Sequence, residues 1–159
     1  MSETGRHNLP HLTVAVVVKQ EGRYLMVQEY SADGASVLNQ PAGHVEGGET
    51  LLEAALRETL EETAWTVELD AMLGIYTYSS AGICYQRVCF SARAVKETNG
   101  SLDPAIQAAH WLSREQIEHS ALRSPLVMQA IDDYERGERF ALTAIKSTKH
   151  LTSKRNHGS

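Results

Sequence analysis

Residues Gln40–Trp65, QPAGHVEGGETLLEAALRETLEETAW, decide how the chain is read. A loop bearing Gly43, Gly47 and Gly48 runs into a segment with helical periodicity. Thr50 and Glu53 are spaced as a capping box, in which the Thr50 hydroxyl accepts from the Glu53 amide and Glu53 returns the bond. The helix is therefore expected over residues 51–63. At roughly 100° of rotation per residue, Leu52, Ala55, Leu56, Thr59, Leu60 and Thr63 are predicted to form the inner face. Glu53, Arg57, Glu58, Glu61 and Glu62 are predicted to form the outer one. Glu58 lies three and four residues from Glu61 and Glu62, where like charges repel. Glu61 and Glu62 also sit at the helix end whose dipole disfavours anions. Both local penalties fall on the same residues, which points to a missing positive charge.

Clustered carboxylates suit a hard cation, Mg²⁺ or Mn²⁺, that keeps several waters and shares substrate phosphates. Calcium loops have a different spacing, and zinc requires His or Cys that this helix lacks. The plain alternative is a solvated acidic helix face. The preceding loop decides between the two.

From Gly43 the chain runs five residues to Glu49, seven more to Arg57-Glu58, and two more to Glu61-Glu62. This resembles the Nudix box, G-x5-E-x7-R-E-U-x-E-E-x-G-U, where U is bulky and apolar; Trp65 fills the last position. Thr59 departs from the pattern by replacing a bulky apolar residue, and Ala64 by replacing the helix-ending glycine. If Ala64 is left-handed there, the cost is roughly 1 kcal/mol. The resemblance implies an α/β fold, a mixed sheet between helices in an α/β/α sandwich. It also implies a Mg²⁺-dependent hydrolase of phosphoanhydrides in nucleoside diphosphates linked to another group. A finer similarity is carried by Asn39–His44, by Leu122–Val127 and by the Tyr134–Phe140 run with Gly137. These segments resemble the bacterial NudJ-type phosphatases from about residue 10 to 145. That likeness implies orthophosphate release from nucleoside di- and triphosphates, and from hydroxymethylpyrimidine pyrophosphate.

The chain has 159 residues, enough for one domain with a self-sufficient core, and 42% hydrophobic and 22% charged content. The net charge is −5, and Lys and Arg do not cluster before the tail, which argues against duplex nucleic acid as a partner. A small-molecule nucleotide or pyrophosphate is the expected partner, and a monomer or homodimer the expected assembly. Cys84 and Cys89 lie at odd spacing in a strand-like run, on opposite sheet faces, so neither a mutual disulfide nor a shared zinc site is expected. No apolar run has the length of a membrane span, and no signal-peptide pattern is visible; a cytoplasmic enzyme is expected.

Residues 1–9 are expected to be flexible, 10–145 to form the domain, and 146–159 to be a disordered polar tail. Strands are predicted at residues 12–18, 24–28, 72–78 with Val67 before them, 83–95 and 108–112, and residues 37–40 are expected to be extended because Pro41 follows. Ser113 opens a short helix with a second capping box, and Ser124-Pro125 opens the last helix, which Gly137 stops.

The resemblance assigns Glu58, Glu61 and Glu62 as metal ligands, with the Ala42 carbonyl as a further one. Glu58 and Glu61 are the implied catalytic residues, Glu58 being first in line as general base. Arg57 and Glu49 are read as support: Arg57 can pair with Glu53 or Glu61 at helical spacing, and Glu49 favours the helix dipole. Gly43, His44, Arg87 and Arg123 are the candidates for contacting substrate. A further downstream acid has Glu97 and Asp103 as candidates, with Gln107 standing where one is sought; the sequence does not choose. Tyr76, Tyr78, Tyr85 and Trp111 are read as core first and base-stacking second. The rival functions are a Nudix pyrophosphohydrolase on nucleotide sugars, ADP-ribose or modified triphosphates, and a non-catalytic nucleotide-binding module.

Overall fold

A computed structural model describes residues 8–148. The expected flexible N-terminus lies almost wholly outside the described residues, and the polar tail does so from residue 149. Seven strands are present: β1 (His11–Gln20), β2 (Arg23–Tyr30), β3 (Ser36–Asn39), β4 (Ala42–His44), β5 (Trp65–Ser80), β6 (Ile83–Glu97) and β7 (Ile106–Leu112). The helices are α1 (Leu51–Thr63), α2 (Arg114–Glu118) and α3 (Leu126–Glu135).

The run LTVAVVV makes β1 the central strand. It lies parallel to β6, from His11 opposite Tyr85 to Val18 opposite Ala92, and every other pairing is antiparallel. At its far end β1 turns into β2 through Lys19–Tyr24 and Gln20–Arg23 only. The two strands then separate, and β4 pairs with the start of β1 through Thr13, Val14 and Ala15. The gap opened by this divergence is where the functional loop enters. The segment expected as Val67 plus a strand at 72–78 is instead one long strand, β5, with register shifts along its pairing to β6.

The period-two alternation of β1 feeds two separate cores. Ala15 and Val17 pack with Tyr24, Met26, Cys89, Ile117, Val127 and Ile131, on the α2–α3 side. Val14, Val16 and Val18 pack with Leu25, Ala54, Ala55, Val88 and Phe90, on the α1 side. The sheet is thus buried on both faces, and the expected α/β/α arrangement holds. Cys89 is buried and Cys84 partly exposed; both are free.

All three helix starts use the predicted chemistry. Thr50 and Ser113 each form a complete capping box, with Glu53 and Gln116. Pro125 already has helical torsions, φ −60° and ψ −19°, and the Ser124 hydroxyl accepts from the Leu126 amide at 3.2 Å. Gly137, at φ +84°, ends the last helix.

One sequence expectation is corrected. Leu56 and Leu60, predicted to face inward, are 40% and 41% exposed, whereas Ala54 and Glu62 are buried. Ala55, Thr59 and Thr63 are buried as expected, but the face is turned so that the small Ala54 and Ala55 pack on Val14, Val16 and Val18 of β1.

Candidate active site

The site is built around the short strand β4. The Val16 amide donates to the Pro41 carbonyl at 3.0 Å, and the buried Gln40 side chain donates to the Val127 carbonyl at 2.8 Å. These bonds tie the loop both to β1 and to α3. The α1 helix crosses β4 on the other side, so its carboxylates meet the β4 backbone. The Ala42 amide donates to Glu62 at 2.7 Å. A β-carbon on Gly43 would overlap the Glu58 carboxylate, which would have to swing away for any other residue.

Arg57 organises the surrounding acids. Its Nε and Nη2 form a fork onto Glu49, at 2.9 and 2.7 Å, and Nη2 also donates to the His44 carbonyl at 3.0 Å. Its Nη1 donates to Glu58 at 2.8 Å and to Glu61 at 3.2 Å. The helix-spaced pairing with Glu61 is as expected. The bonds to Glu49, His44 and Glu58 join the loop to the helix, which helical spacing alone could not indicate. These ion pairs hold the Arg57 pKa above its usual range.

Burial opposes ionisation of two of the acids. It pushes Glu62 up to about 8, although the Ala42 amide favours the anion; the charges of Glu58, Glu29 and Asp103 add to the rise. Burial also raises Glu58, against the Arg57 hydrogen bond, with Glu61 and Asp103 contributing repulsion. Oxygen-only donors that are partly desolvated and mutually repelling fit a hard divalent cation. Among the described residues no three such side chains converge at ligating range as they stand. Glu58 and Glu61 point to the Arg57 guanidinium instead, so binding a cation entails their partial release from it.

Beside β4 lies a cleft of about 260 Å³. All four residues predicted to contact substrate, Gly43, His44, Arg87 and Arg123, line it together. Arg87 rises from β6 in the sheet floor and is 9% exposed; Arg123 reaches in from the loop before α3. Tyr78 and Tyr85, opposite each other on β5 and β6, also border the cleft, whereas Tyr76 is buried and Trp111 packs edge-on against Trp65. The tyrosines thus divide between the two readings. His44 lies 2.9 Å from His11, with Tyr85 against the His11 ring; burial and the neighbouring His11 lower the His44 pKa.

Asp103 is the candidate downstream acid that the fold brings to the helix, through a bond from its amide to the Glu61 carbonyl at 2.8 Å. Glu97 instead pairs with Trp65 at a strand end, and Gln107 accepts from Ser36. Glu29 escaped the sequence reading. It lines the cleft, accepts from Asn39 at 3.2 Å and lies 3.7 Å from Arg123. Its only sequence signal is an acid placed just beyond the apolar run Tyr24–Val27 of a hairpin strand.

An α/β/α sandwich with partly buried acids on α1 facing β4, and two arginines lining the adjoining cleft, suits chemistry on a phosphoanhydride. The chain belongs to the Nudix hydrolase family: the NUDIX domain profile matches residues 9–130. It is 37% identical over 139 residues to Phosphatase NudJ of Escherichia coli K12, covering 86% of this chain and 90% of that one. Phosphatase NudJ of Shigella flexneri matches with the same figures. A NUDIX hydrolase from Nitrosomonas europaea superposes with a TM-score of 0.86 at 39% identity, over 89% of this chain and 99% of the other. The NUDIX domain of Shewanella oneidensis NrtR, solved with ADP ribose, shares the fold at a TM-score of 0.70 and 18% identity, over 86% and 99%.

Proposed function

We propose that this enzyme is a divalent-metal-dependent phosphatase that releases orthophosphate from nucleoside di- and triphosphates, and from hydroxymethylpyrimidine pyrophosphate. The likeness to Phosphatase NudJ over nearly the full length of both chains supports the reaction class. The observation that carries the site assignment is Glu62, buried against the Ala42 amide and held away from ionisation by its surroundings. Such a carboxylate is costly in the free protein and becomes favourable beside a cation.

Glu58, Glu61 and Glu62, with the Ala42 carbonyl, hold Mg²⁺ or Mn²⁺ in this reading. A divalent ion held by these residues would supply charge neutralisation for the phosphate oxygens and a more acidic water. Glu58 is the general base: it is half-buried and repelled by Glu61 and Asp103, which raises its affinity for a proton. Arg57 and Glu49 position Glu58 and Glu61. Gly43 leaves room for the base, and His44, Arg87 and Arg123 contact the substrate from the cleft wall. No helix among the described residues is long and apolar enough to cross a membrane.

The test is product analysis. The purified protein is expected to release orthophosphate from a nucleoside diphosphate only when Mg²⁺ or Mn²⁺ is present. Pyrophosphate as the sole inorganic product from triphosphates would instead identify a pyrophosphohydrolase. Glu61→Gln is expected to abolish turnover with the fold intact; near-wild-type activity in it would overturn the ligand assignment.

A further inference from the structure

Arg87 is the most buried cation of the cleft, and its Nη1 has no hydrogen-bond partner within the protein. A buried guanidinium donor without an acceptor is costly. The neighbouring acids do not remove that cost. Glu29 and Glu62 act on Arg87 only through space, and desolvation outweighs them, lowering its pKa. Glu29 is itself held by Asn39, which donates to it. Facing Arg87 across the same cleft are Arg123, 44% exposed in its side chain, and the first turn of α3, with Ser124 and Leu126 on the wall. The helix start itself offers no open amide, since Pro125 has none and the Leu126 and Val127 amides donate to the Ser124 hydroxyl and carbonyl, each at 3.2 Å, so the arginines are the donors left to an anion.

We propose that Arg87 and Arg123 form a subsite for the terminal phosphoryl group, which makes this enzyme release orthophosphate rather than pyrophosphate. The assignment rests on the hydrolase reading above and deepens it. A terminal phosphoryl carries three non-bridging oxygens and up to two negative charges, and an internal one carries two oxygens and one charge. Two arginines on one cleft therefore discriminate in favour of the chain end. With that group anchored, the phosphorus presented to water beside β4 is the terminal one. Water oxygen bonds to it, and its bridging P–O bond breaks with the electron pair staying on the leaving phosphate. The water proton passes to the carboxylate base. Orthophosphate and a nucleotide shortened by one phosphate result.

Inorganic phosphate is the probe, added to the metal-free protein in EDTA while thermal unfolding is followed. Phosphate is expected to raise the Tm of the wild type, less so in Arg123→Ala, and not at all in Arg87→Met. Equal shifts in all three overturn the proposal. Without phosphate, Arg87→Met is expected to melt at or above the wild-type temperature, since it removes an unsatisfied buried cation; a marked fall would make Arg87 structural and overturn it too. Arg123 is at the rim, 44% exposed in its side chain, so its variant tests the anion contact without disturbing the buried floor of the cleft. With Mg²⁺ and a nucleoside diphosphate, KM is expected to rise roughly tenfold or more in Arg123→Ala, with a smaller change in kcat. An unchanged KM counts against the subsite. A wild type without hydrolysis that still shows the phosphate shift would remove the catalytic reading and leave the anion site standing.

Discussion

The Glu58 carboxylate occupies the space that a β-carbon on Gly43 would fill. One residue of a three-residue strand and one residue of a helix are thereby fitted to each other, fifteen positions apart in sequence. The contact explains why the loop needs glycine there without any appeal to positive φ. Gly43 pairs with Val14 in the β1–β4 ladder and provides an opening rather than a turn.

Gly43→Ala should consequently displace Glu58, whose other carboxylate contact is the 2.8 Å bond from Arg57. Overpacking of this kind costs about 1–3 kcal/mol, within what a domain of this size tolerates. A displaced catalytic group costs on the order of 10²-fold in rate. Circular dichroism should show a folded variant, and kcat should fall about 100-fold. Activity within a few-fold of wild type would mean that the base is not Glu58.

Arg57 binds Glu49 through a two-nitrogen fork and reaches Glu58, Glu61 and the His44 carbonyl with the same guanidinium. Lysine supplies one charge with no fork. Arg57→Lys should therefore lose about 1–2 kcal/mol of stability, a figure reduced for partial exposure of these pairs. The loss of kcat should exceed what this instability explains, because Glu58 and Glu61 lose their orientation. Chemical denaturation and steady-state kinetics on the same preparation separate the two effects.

Glu62 gives a pH signature to the metal-free protein. Its folded pKa is raised to about 8, above the ordinary carboxylate value of 4.5. Between those values the folded state holds a proton that the unfolded chain has released. Stability is therefore lost as pH rises through that window, and the loss is complete above the folded pKa. The amount is on the order of a few kcal/mol. Glu62→Gln keeps an acceptor for the Ala42 amide and carries no charge, so it should flatten the curve and be the more stable protein at pH 8 in EDTA. Adding Mg²⁺ should stabilise the wild type and leave the variant largely unchanged. Parallel pH curves for the two proteins would remove Glu62 from the metal site.

Ala64 does adopt the left-handed conformation, at φ 61° and ψ 16°. The turn is held by its amide on the Leu60 carbonyl at 2.9 Å, and by Thr98, whose amide and hydroxyl both donate to the Ala64 carbonyl at 2.7 Å. Its methyl is buried, worth about 0.8 kcal/mol, which offsets much of a left-handed penalty of roughly 1–2 kcal/mol. Ala64→Gly should thus alter stability by no more than about 1 kcal/mol. Ala64→Val should cost roughly 2 kcal/mol or more, since a β-branched residue is strained at that φ. Urea titrations of the two variants decide the point.

The helix limits were legible because capping is local: Thr50 and Glu53, like Ser113 and Gln116, meet within one turn. The central strand was legible because β1 is apolar on both faces, the pattern of a sheet covered on each side. The acidic cluster was legible as a violation of helix electrostatics. How α1 is rotated was not. Periodicity alone cannot choose between the stripe holding Leu56 and Leu60 and the one holding Ala54 and Glu62. The small residues won because close approach to β4 is what lets Glu58 and Glu62 reach the Ala42–Gly43 backbone. Leu56 instead lines a surface groove with Leu52, Val67, Leu69 and Val95.

The sequence by itself determined the family, the limits of α1 and the residues of the Nudix motif, because each depends on types and spacings within one stretch of chain. Only the tertiary structure decided that Gly43, His44, Arg87 and Arg123 share one cleft, that Glu29 belongs beside them, and that Asp103 rather than Glu97 lies against the helix. Those relations join β2, β4, β6 and the loop before α3. They are set by the divergence of β1 from β2 and by the packing of β6 on β1, long-range pairings that no local pattern encodes.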